Sequence, residues 1–183
     1  MRMTAIKILG LVLLVTVFVF LPKQEVRAWG PPSCFDFVTF GGFYHGSSDG
    51  SGDVNFGGNA GYKNDSKVPL MAHINIEDHN LGRHIQIDNA DIGYEVAAND
   101  PCHCRDIAGH AQVTVGGTTY TTTYTIRVCD FGEPGNTRAG ATTPDIFTIF
   151  LGDNSYHAGV PSSNLEGGNV QLHKNCQAGC DSN

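Results

Sequence analysis

The chain has 183 residues, of which 16% are charged and 23 are glycine, and its formal net charge is −7. This length suits a single domain, and sparse charge with abundant glycine excludes a long helical bundle or coiled coil, which needs many Ala, Leu, Glu and Lys residues. The acidic balance repels phosphate backbones and anionic headgroups, which excludes nucleic acid as a partner.

Residues 1–28 have the organisation of a secretion signal helix. A basic start precedes an apolar run over Ile8–Leu21, and small residues lie at the cleavage spacing before Trp29. The run is too short to span a bilayer comfortably, so we expect cleavage and no stable membrane span afterwards, with an uncleaved anchor as the alternative. We therefore expect a secreted protein, periplasmic, cell-surface or extracellular, whose residues 29–183 form one domain with seven basic and 17 acidic side chains.

Alternating apolar and polar residues in the first half of this domain predict β-strands. The first strand starts near Phe35, and a glycine-rich loop over residues 47–52 leads to a second around Phe56. In Met71–Glu77 and Arg83–Asp88, isoleucines alternate with polar side chains. These two segments are typical of strands that are packed on one face and wet on the other.

The second half continues the pattern after a cysteine-rich insertion over residues 97–106. The predicted strands are Val113–Val115, Thr118–Cys129, Asp145–Leu151 and Val170–Leu172. Gly116-Gly117 separates the first two, and two glycines between alternating strands are a strong signal for a hairpin. Eight or nine short strands with turn signals between them predict an all-β fold, an antiparallel β-sandwich stapled by disulfides.

The segment Val113–Lys174 also carries a family likeness. Its Tyr/Thr-rich strand ends in Val128-Cys129-Asp130 and leads to the turn Gly132-Glu133-Pro134-Gly135. The segment closes with Gly167–Lys174, which reads Gly-Gly-Asn-Val-Gln-Leu-His-Lys. This order resembles a β-rich module of exported and surface-attached bacterial proteins, which often lies beside immunoglobulin-like or PKD-like repeats.

The resemblance implies a stand-alone, non-catalytic copy of an extracellular β-sandwich module, and the family brings no active site with it. Two features depart from the family pattern. The Cys102-His103-Cys104 insertion is one, and the cysteine-bearing tail over residues 175–183 is the other.

An even number of cysteines in an exported chain predicts disulfides. The six candidates are Cys34, Cys102, Cys104, Cys129, Cys176 and Cys180. Because a bridge between residues two apart is strained, we expect Cys102 and Cys104 to have separate partners. The spacing leaves open whether Cys34 pairs with the tail or whether Cys176 pairs locally with Cys180.

A transition-metal site is the alternative for the insertion. Cys102, His103, Cys104 and His110 are clustered in sequence, with Cys129 on the next strand. Thiolates together with imidazoles suit zinc or cuprous copper, which would make the chain a metal carrier or a redox enzyme. An oxidising compartment favours disulfides over this reading.

Two neighbouring predicted strands also place histidines on their polar faces. His73 and His84 form a second candidate metal site if Glu77 or Asp88 adds a carboxylate oxygen. The competing interpretation is that all four side chains are solvated.

Calcium has two candidate sites because oxygen-rich loops suit this ion. The candidate ligands are Asp130, Glu133 and Asp145 at one place, and Asp49, Asp53 and Asn55 at the other. The twelfth position counted from Asp49 is Ala60, where an EF-hand needs a bidentate Glu, so the second set is not that motif. Aspartates that bond their own backbone in turns are the structural alternative.

The sequence predicts binding rather than catalysis. It lacks His-Glu-x-x-His and Ser-x-x-Lys, so we predict no enzyme activity and no cofactor, with calcium as the exception. We expect a structural, adhesive or binding role in the bacterial cell envelope or extracellular matrix. The expected partners are other envelope proteins or a second copy, reached through exposed edge strands. Carbohydrate binding is not favoured, because Trp29 is the only tryptophan.

Overall fold

A computed structural model of the chain describes residues 36–47, 50–62, 70–88, 92–132, 144–159 and 165–173. The regular structure in these ranges is entirely β. The ten strands are β1 (Asp36–Ser47), β2 (Gly50–Tyr62), β3 (Met71–Asp78), β4 (Arg83–Ile87), β5 (Gly93–Val96), β6 (Cys104–Val115), β7 (Thr118–Cys129), β8 (Ile146–Leu151), β9 (His157–Ala158) and β10 (Gly167–His173). Within the same ranges there is no helix of the length and hydrophobicity needed to cross a membrane.

The strands form one antiparallel sheet that closes on itself. Its order is β10-β1-β2-β3-β4-β6-β7-β8-β9, with β5 paired beside β4 on the same edge of β6. Ser47 of β1 pairs with Ala158 of β9, which joins the two ends. β4 and β5 share one position on the edge of β6, and β9 and β10 share one position on the edge of β1, so the ten described strands form an eight-stranded β-barrel. The predicted two-sheet sandwich is therefore wrong.

The sandwich prediction failed for a physical reason. Alternation reports that one face of a strand is buried, and that face is buried equally well against a second sheet or against the far wall of its own sheet. Strand length distinguishes the two cases here: β1, β2, β6 and β7 have 12 or 13 residues, and among these four the sequence predicted the full length only of β7, as Thr118–Cys129. Long strands that twist and coil can close a sheet.

The predicted glycine hairpin is confirmed. Val115 pairs with Thr118, so Gly116 and Gly117 are the only residues of the β6–β7 turn. Their φ angles are 56° and 78°. Two consecutive positive φ angles define the turn whose twist matches the flanking strands, and glycine takes this backbone conformation without a steric cost.

Side chains fill the barrel interior. The rings of Phe56 and Phe147 stack with centroids 3.9 Å apart and planes 9° from parallel, and Phe40 lies 5.4 Å from Phe147. Fully buried isoleucines surround this aromatic group; they are Ile74, Ile76, Ile85, Ile87, Ile107, Ile126 and Ile149. The isoleucines that the alternation assigned to the packed faces of β3 and β4 therefore belong to the core.

Two aspartates connect β10 to the end of β7 and the start of β8. The buried Asp145 accepts hydrogen bonds from the N–H groups of Phe131 (2.9 Å) and Val170 (2.6 Å). Asp130 accepts from Gly132 (3.0 Å) and from Leu172 (2.8 Å). The carboxylates thus take the place of a neighbouring strand for β10, whose other edge pairs with β1.

A buried ion pair fixes one end of the barrel. Arg105, fully buried, donates from Nε and Nη2 to the carboxylate of Asp36, at 2.9 Å in each case. Its Nη1 donates to the carbonyls of Pro101 and Cys104, and the Tyr94 hydroxyl donates to Asp36 at 2.6 Å. These bonds satisfy the charges, as burial of an ion pair requires. They attach the start of β1 to β5 and β6.

Candidate functional site

A groove of about 440 Å³ runs over the outer face of β5, β6, β7 and β8. Strand register places its lining in two rows that cross the strands. The charged row is Glu95, Asp106, Arg127 and Thr148, one residue from each strand in turn. The second row is Gly93, Ala108, Thr125 and Phe150. Cross-strand neighbours on one face are close enough to act together.

The shape of the groove follows from side-chain size along the second row. Gly93 and Ala108 leave the β5–β6 end of the row almost bare, whereas Phe150 lies at the β8 end with 45% of its surface exposed. The ring of His157 on β9 stacks on Phe150, with centroids 5.8 Å apart and planes 18° from parallel. An exposed phenyl ring supported in this way presents an apolar wall to a ligand.

A bidentate ion pair forms the middle of the charged row. Nε and Nη2 of Arg127 donate to the two carboxylate oxygens of Asp106, both at 2.7 Å. These hydrogen bonds raise the pKa of Arg127 above its usual value. Because 40% and 30% of the two side chains are exposed, solvent screens the pair, and its main effect is to orient the guanidinium.

Glu95 occupies an electrostatically unfavourable position in the sheet. It lies directly opposite Asp106, and like charges in facing positions are destabilising. Its carboxylate has no hydrogen-bond or ion-pair partner among the described residues. No hydrogen bond or ion pair among the described residues involves this carboxylate, so it is available to a ligand.

The cysteines in the described part of the chain are oxidised. Cys104 and Cys129 face each other at the open end of the β6–β7 hairpin, with Cα atoms 4.1 Å apart, and form a disulfide. Cys102 is also disulfide-bonded. Cys34, Cys176 and Cys180 lie outside the described residues. A disulfide sulfur has no thiolate to offer a metal ion.

The other members of the predicted transition-metal set are not brought to the cysteines. His103 bonds through Nδ1 to Asp100 at 2.8 Å, and its ring packs 5.2 Å from that of Phe131. His110 is exposed on β6, in register with Thr123 of β7. The strand begins at Cys104, so the last part of the predicted insertion belongs to β6.

The first calcium set is occupied by structural hydrogen bonds. Both oxygens of Asp130 and of Asp145 already accept backbone N–H groups. Glu133 lies outside the described residues. These aspartates therefore act as the turn and edge acceptors that the sequence offered as the alternative.

The second calcium set is also separated into pairs. Asp53 bonds to Nδ1 of His45, whose Nε2 lies 3.2 Å from Glu166. Asn55 bonds to Nε2 of His79 at 2.8 Å. Asp49 lies outside the described residues.

The histidines of β3 and β4 lie on the outer face, as their alternation predicts. His73 Nδ1 is 3.2 Å from Asp88, and His84 faces Glu77 across the strands. The two histidines belong to different cross-strand pairs. Across the described ranges, no three His, Cys, Asp or Glu side chains form a group that could hold a metal ion.

Polar groups are also buried at the barrel end where the β3–β4 turn lies. Asp78 accepts through Oδ1 from the N–H groups of Asn80 and Leu81, and its other oxygen faces the interior without a hydrogen bond. The hydroxyls of Tyr44 and Tyr124 also lack hydrogen-bond partners within the described residues. Burial raises the pKa of both tyrosines, and the Asp78 charge adds to the effect on Tyr44.

Comparisons of the chain with protein families, with curated proteins and with solved structures each returned no match.

The residues that line the groove were not singled out by the sequence. One signal was available, because Arg127 is the only basic side chain on the threonine-rich face of β7, and Phe150 is a large apolar residue at a position that alternation assigns to the wet face of β8. What the sequence lacked was the register that puts these two side chains beside Glu95 and Asp106. A shift of one residue in any strand would move its side chains to the interior.

Proposed function

We propose that this protein is an exported, non-catalytic binding protein with an adhesive or structural role at the bacterial cell surface or in the extracellular matrix. Its ligand contacts the outer groove of β5–β8. The observation that supports this proposal is the combination of an exposed Phe150 with a Glu95 carboxylate that has no partner among the described residues. A large exposed apolar ring and a carboxylate of this kind are both typical of surfaces that bind.

Because the sheet is closed, we expect a partner to contact the outer face of the barrel and not the edge of a strand. Strand addition needs a row of unpaired backbone groups, and a barrel removes most of these. The edge of β10 that faces away from β1 donates to Asp130 and Asp145 instead. In the described residues β5 pairs only with β6, but β5 has four residues, a short template for a partner strand.

Binding measurements on the full chain, expressed with its own leader and purified under oxidising conditions, test the proposal. The probes are immobilised cell-wall polymers, surface polysaccharides and matrix proteins. We expect the native protein to bind at least one of them, and an Arg127→Ala/Phe150→Ala variant to bind about tenfold or more weakly. Phe43→Ala is the matched control, because Phe43 is 38% exposed but lies on β1, outside the groove.

Two results would count against this function. If the double variant bound as tightly as the native protein, the groove would not be the binding site. Stoichiometric zinc or copper in elemental analysis, together with free thiols, would favour the metal-carrier or redox alternative over binding.

A further inference from the structure

We propose that the groove over β5–β8 binds an extended chain of neutral sugars. This inference rests on the proposed binding function and names the class of ligand. It begins with the hydrogen-bonding groups that the groove still has free.

The charged row offers donors and acceptors side by side. Asp106 occupies Nε and Nη2 of Arg127, and Nη1 has no partner among the described residues, so it can donate to a ligand. Glu95 offers a carboxylate that only accepts, and the hydroxyl of Thr148 can do both. A sugar hydroxyl also donates and accepts, so one polyhydroxylated ligand can satisfy this mixed set. A ligand that only donates or only accepts leaves part of the set unpaired.

Phe150 supplies the second part of sugar recognition. The face of an aromatic ring carries a partial negative charge, which attracts the polarised C–H bonds on the apolar face of a pyranose. His157 supports the ring, and Gly93 and Ala108, at the other end of the same row, leave room over β5 and β6 for the rest of the sugar chain. Stacking on Phe150 and hydrogen bonding to the charged row can therefore involve opposite sides of one sugar chain.

The dimensions of the groove favour a chain over a single sugar. The row from Glu95 to Thr148 crosses four strands, and three interstrand spacings amount to about 14 Å.

Charge argues for a neutral ligand. Two carboxylates and one guanidinium give the groove a negative balance, and the chain has a net charge of −7, so anionic polymers are repelled. A basic peptide is attracted at long range, but the guanidinium of Arg127 stands in the middle of the charged row and opposes a second cation there. Neutral sugars meet neither penalty.

The test uses the full chain, secreted and oxidised, on soluble probes. These are neutral oligosaccharides of glucose, galactose and mannose of tetrasaccharide length and longer, with polygalacturonate and oligolysine as the anionic and cationic probes. We expect binding of a neutral oligosaccharide that changes little between about 0.05 M and 0.5 M NaCl, because no net charge is paired. Phe150→Ala should weaken it about tenfold or more, and Phe43→Ala should not.

Glu95→Gln separates sugar from cation. An amide still hydrogen-bonds a hydroxyl, so a bound sugar should lose less than about fivefold in affinity, whereas a cationic ligand, whose binding to the native chain is salt-sensitive, should lose about tenfold or more. Preference for oligolysine with this sensitivity would overturn the sugar assignment. The sugar assignment would also be overturned if Phe150→Ala left the affinity for neutral sugars unchanged.

Failure of the inference differs from failure of the proposed function. If no neutral sugar binds but a cell-surface protein or oligolysine does, and groove variants abolish that binding, the sugar assignment is wrong and the binding function stands. If the groove variants alter the binding of no probe in either experiment, both proposals are wrong. Circular dichroism and free-thiol assays on each variant establish that it is folded and oxidised.

Discussion

At the scale of single residues, strand β8 separates stability from binding. Phe147 faces the interior, is fully buried and stacks on Phe56, whereas Phe150 lies on the outer face. The two phenylalanines are three positions apart, so strand alternation sends them to opposite sides of the sheet. Substitutions of the same type in one strand should therefore have different consequences.

We expect Phe147→Ala to lower the free energy of unfolding by about 3–5 kcal/mol, because it removes a buried ring and leaves a cavity that the aromatic group cannot fill. Phe150→Ala is the matched control and should lower it by no more than about 1.5 kcal/mol, since its main loss is the stack on His157. Urea unfolding followed by fluorescence and circular dichroism measures both. Equal losses in the two variants would mean that the inward and outward faces of β8 are wrongly assigned.

At the scale of elements, the attachment of β10 depends on side chains rather than on a second strand. Asp145 is the more buried of the two acceptors and binds two backbone N–H groups that lie far apart in sequence. Gly168 also belongs to this attachment: its φ is +113°, and a Cβ atom there would meet the carbonyl oxygen of Gly41. This contact gives a physical reason for the second glycine of the Gly-Gly-Asn segment.

Asp145→Asn keeps the size of the side chain but turns one acceptor into a donor. An N–H group of Phe131 or Val170 then faces an amide N–H, so we expect a loss of about 2–3 kcal/mol in unfolding free energy. Amide hydrogen exchange should show lower protection at Val170. Asp130→Asn provides a graded comparison and should cost less, because Asp130 is only partly buried. Unchanged protection at Val170 would contradict this role of Asp145.

The disulfide acts on the β6–β7 hairpin. Cys104 and Cys129 are separated by 25 positions in the sequence, and a loop of this size is worth about 3 kcal/mol in the chain-entropy model. Replacing both cysteines with alanine should lower the unfolding free energy by about that amount. The free-thiol count should equal that of the native chain, since the other described cysteine, Cys102, belongs to another disulfide. A stability loss below about 1 kcal/mol would show that the hairpin is already held by its twelve register pairs.

The sequence predicted the local elements better than their arrangement. The Gly116-Gly117 turn and the buried isoleucines of β3 and β4 follow from turn chemistry and period-two alternation, which are properties of neighbouring residues. Closure through Ser47 and Ala158 joins residues 111 positions apart, and no local pattern encodes such a pairing. The same limit applies to the groove, whose charged row needs the register of four strands to be known.

The role of the candidate metal-binding residues also depends on how the strands pair, which the sequence did not give. Asp130 and Asp145 were recognised as neighbours, and the structure brings both to one seam. The sequence left open whether their oxygens face a metal ion or backbone N–H groups, because that choice depends on where β10 lies.

At the scale of the whole molecule, the buried tyrosines of the barrel interior should make the protein less stable at alkaline pH. Tyr44, Tyr94, Tyr124 and Tyr156 are all buried, and burial is the main cause that raises the pKa of each above its usual value. Nearby carboxylates add to the effect on three of them, through Asp36 for Tyr94 and Asp78 for the other two. In the unfolded chain the same phenols ionise near pH 10.

Below pH 10 every one of these tyrosines is neutral in both states, so the contribution to stability is complete. Above pH 10 the unfolded chain releases protons that the folded barrel retains, and stability falls as pH rises towards the higher pKa of the folded state. Each tyrosine contributes up to about 1.4 kcal/mol per pH unit, so four together give up to about 5–6 kcal/mol per unit. Urea midpoints measured from pH 8 to 11.5 should therefore be flat at first and then fall steeply.

Tyr124→Phe tests the origin of that fall. It removes a titrating group whose hydroxyl makes no hydrogen bond within the described residues, so stability at pH 8 should be unchanged or higher by up to about 1 kcal/mol. Above pH 10 the slope should be shallower by about 1.4 kcal/mol per unit. Thiol assays at each pH verify that the disulfides stay intact. A slope equal to that of the native chain would mean that Tyr124 reaches solvent before the barrel unfolds, and hence that this part of the interior opens independently of the rest.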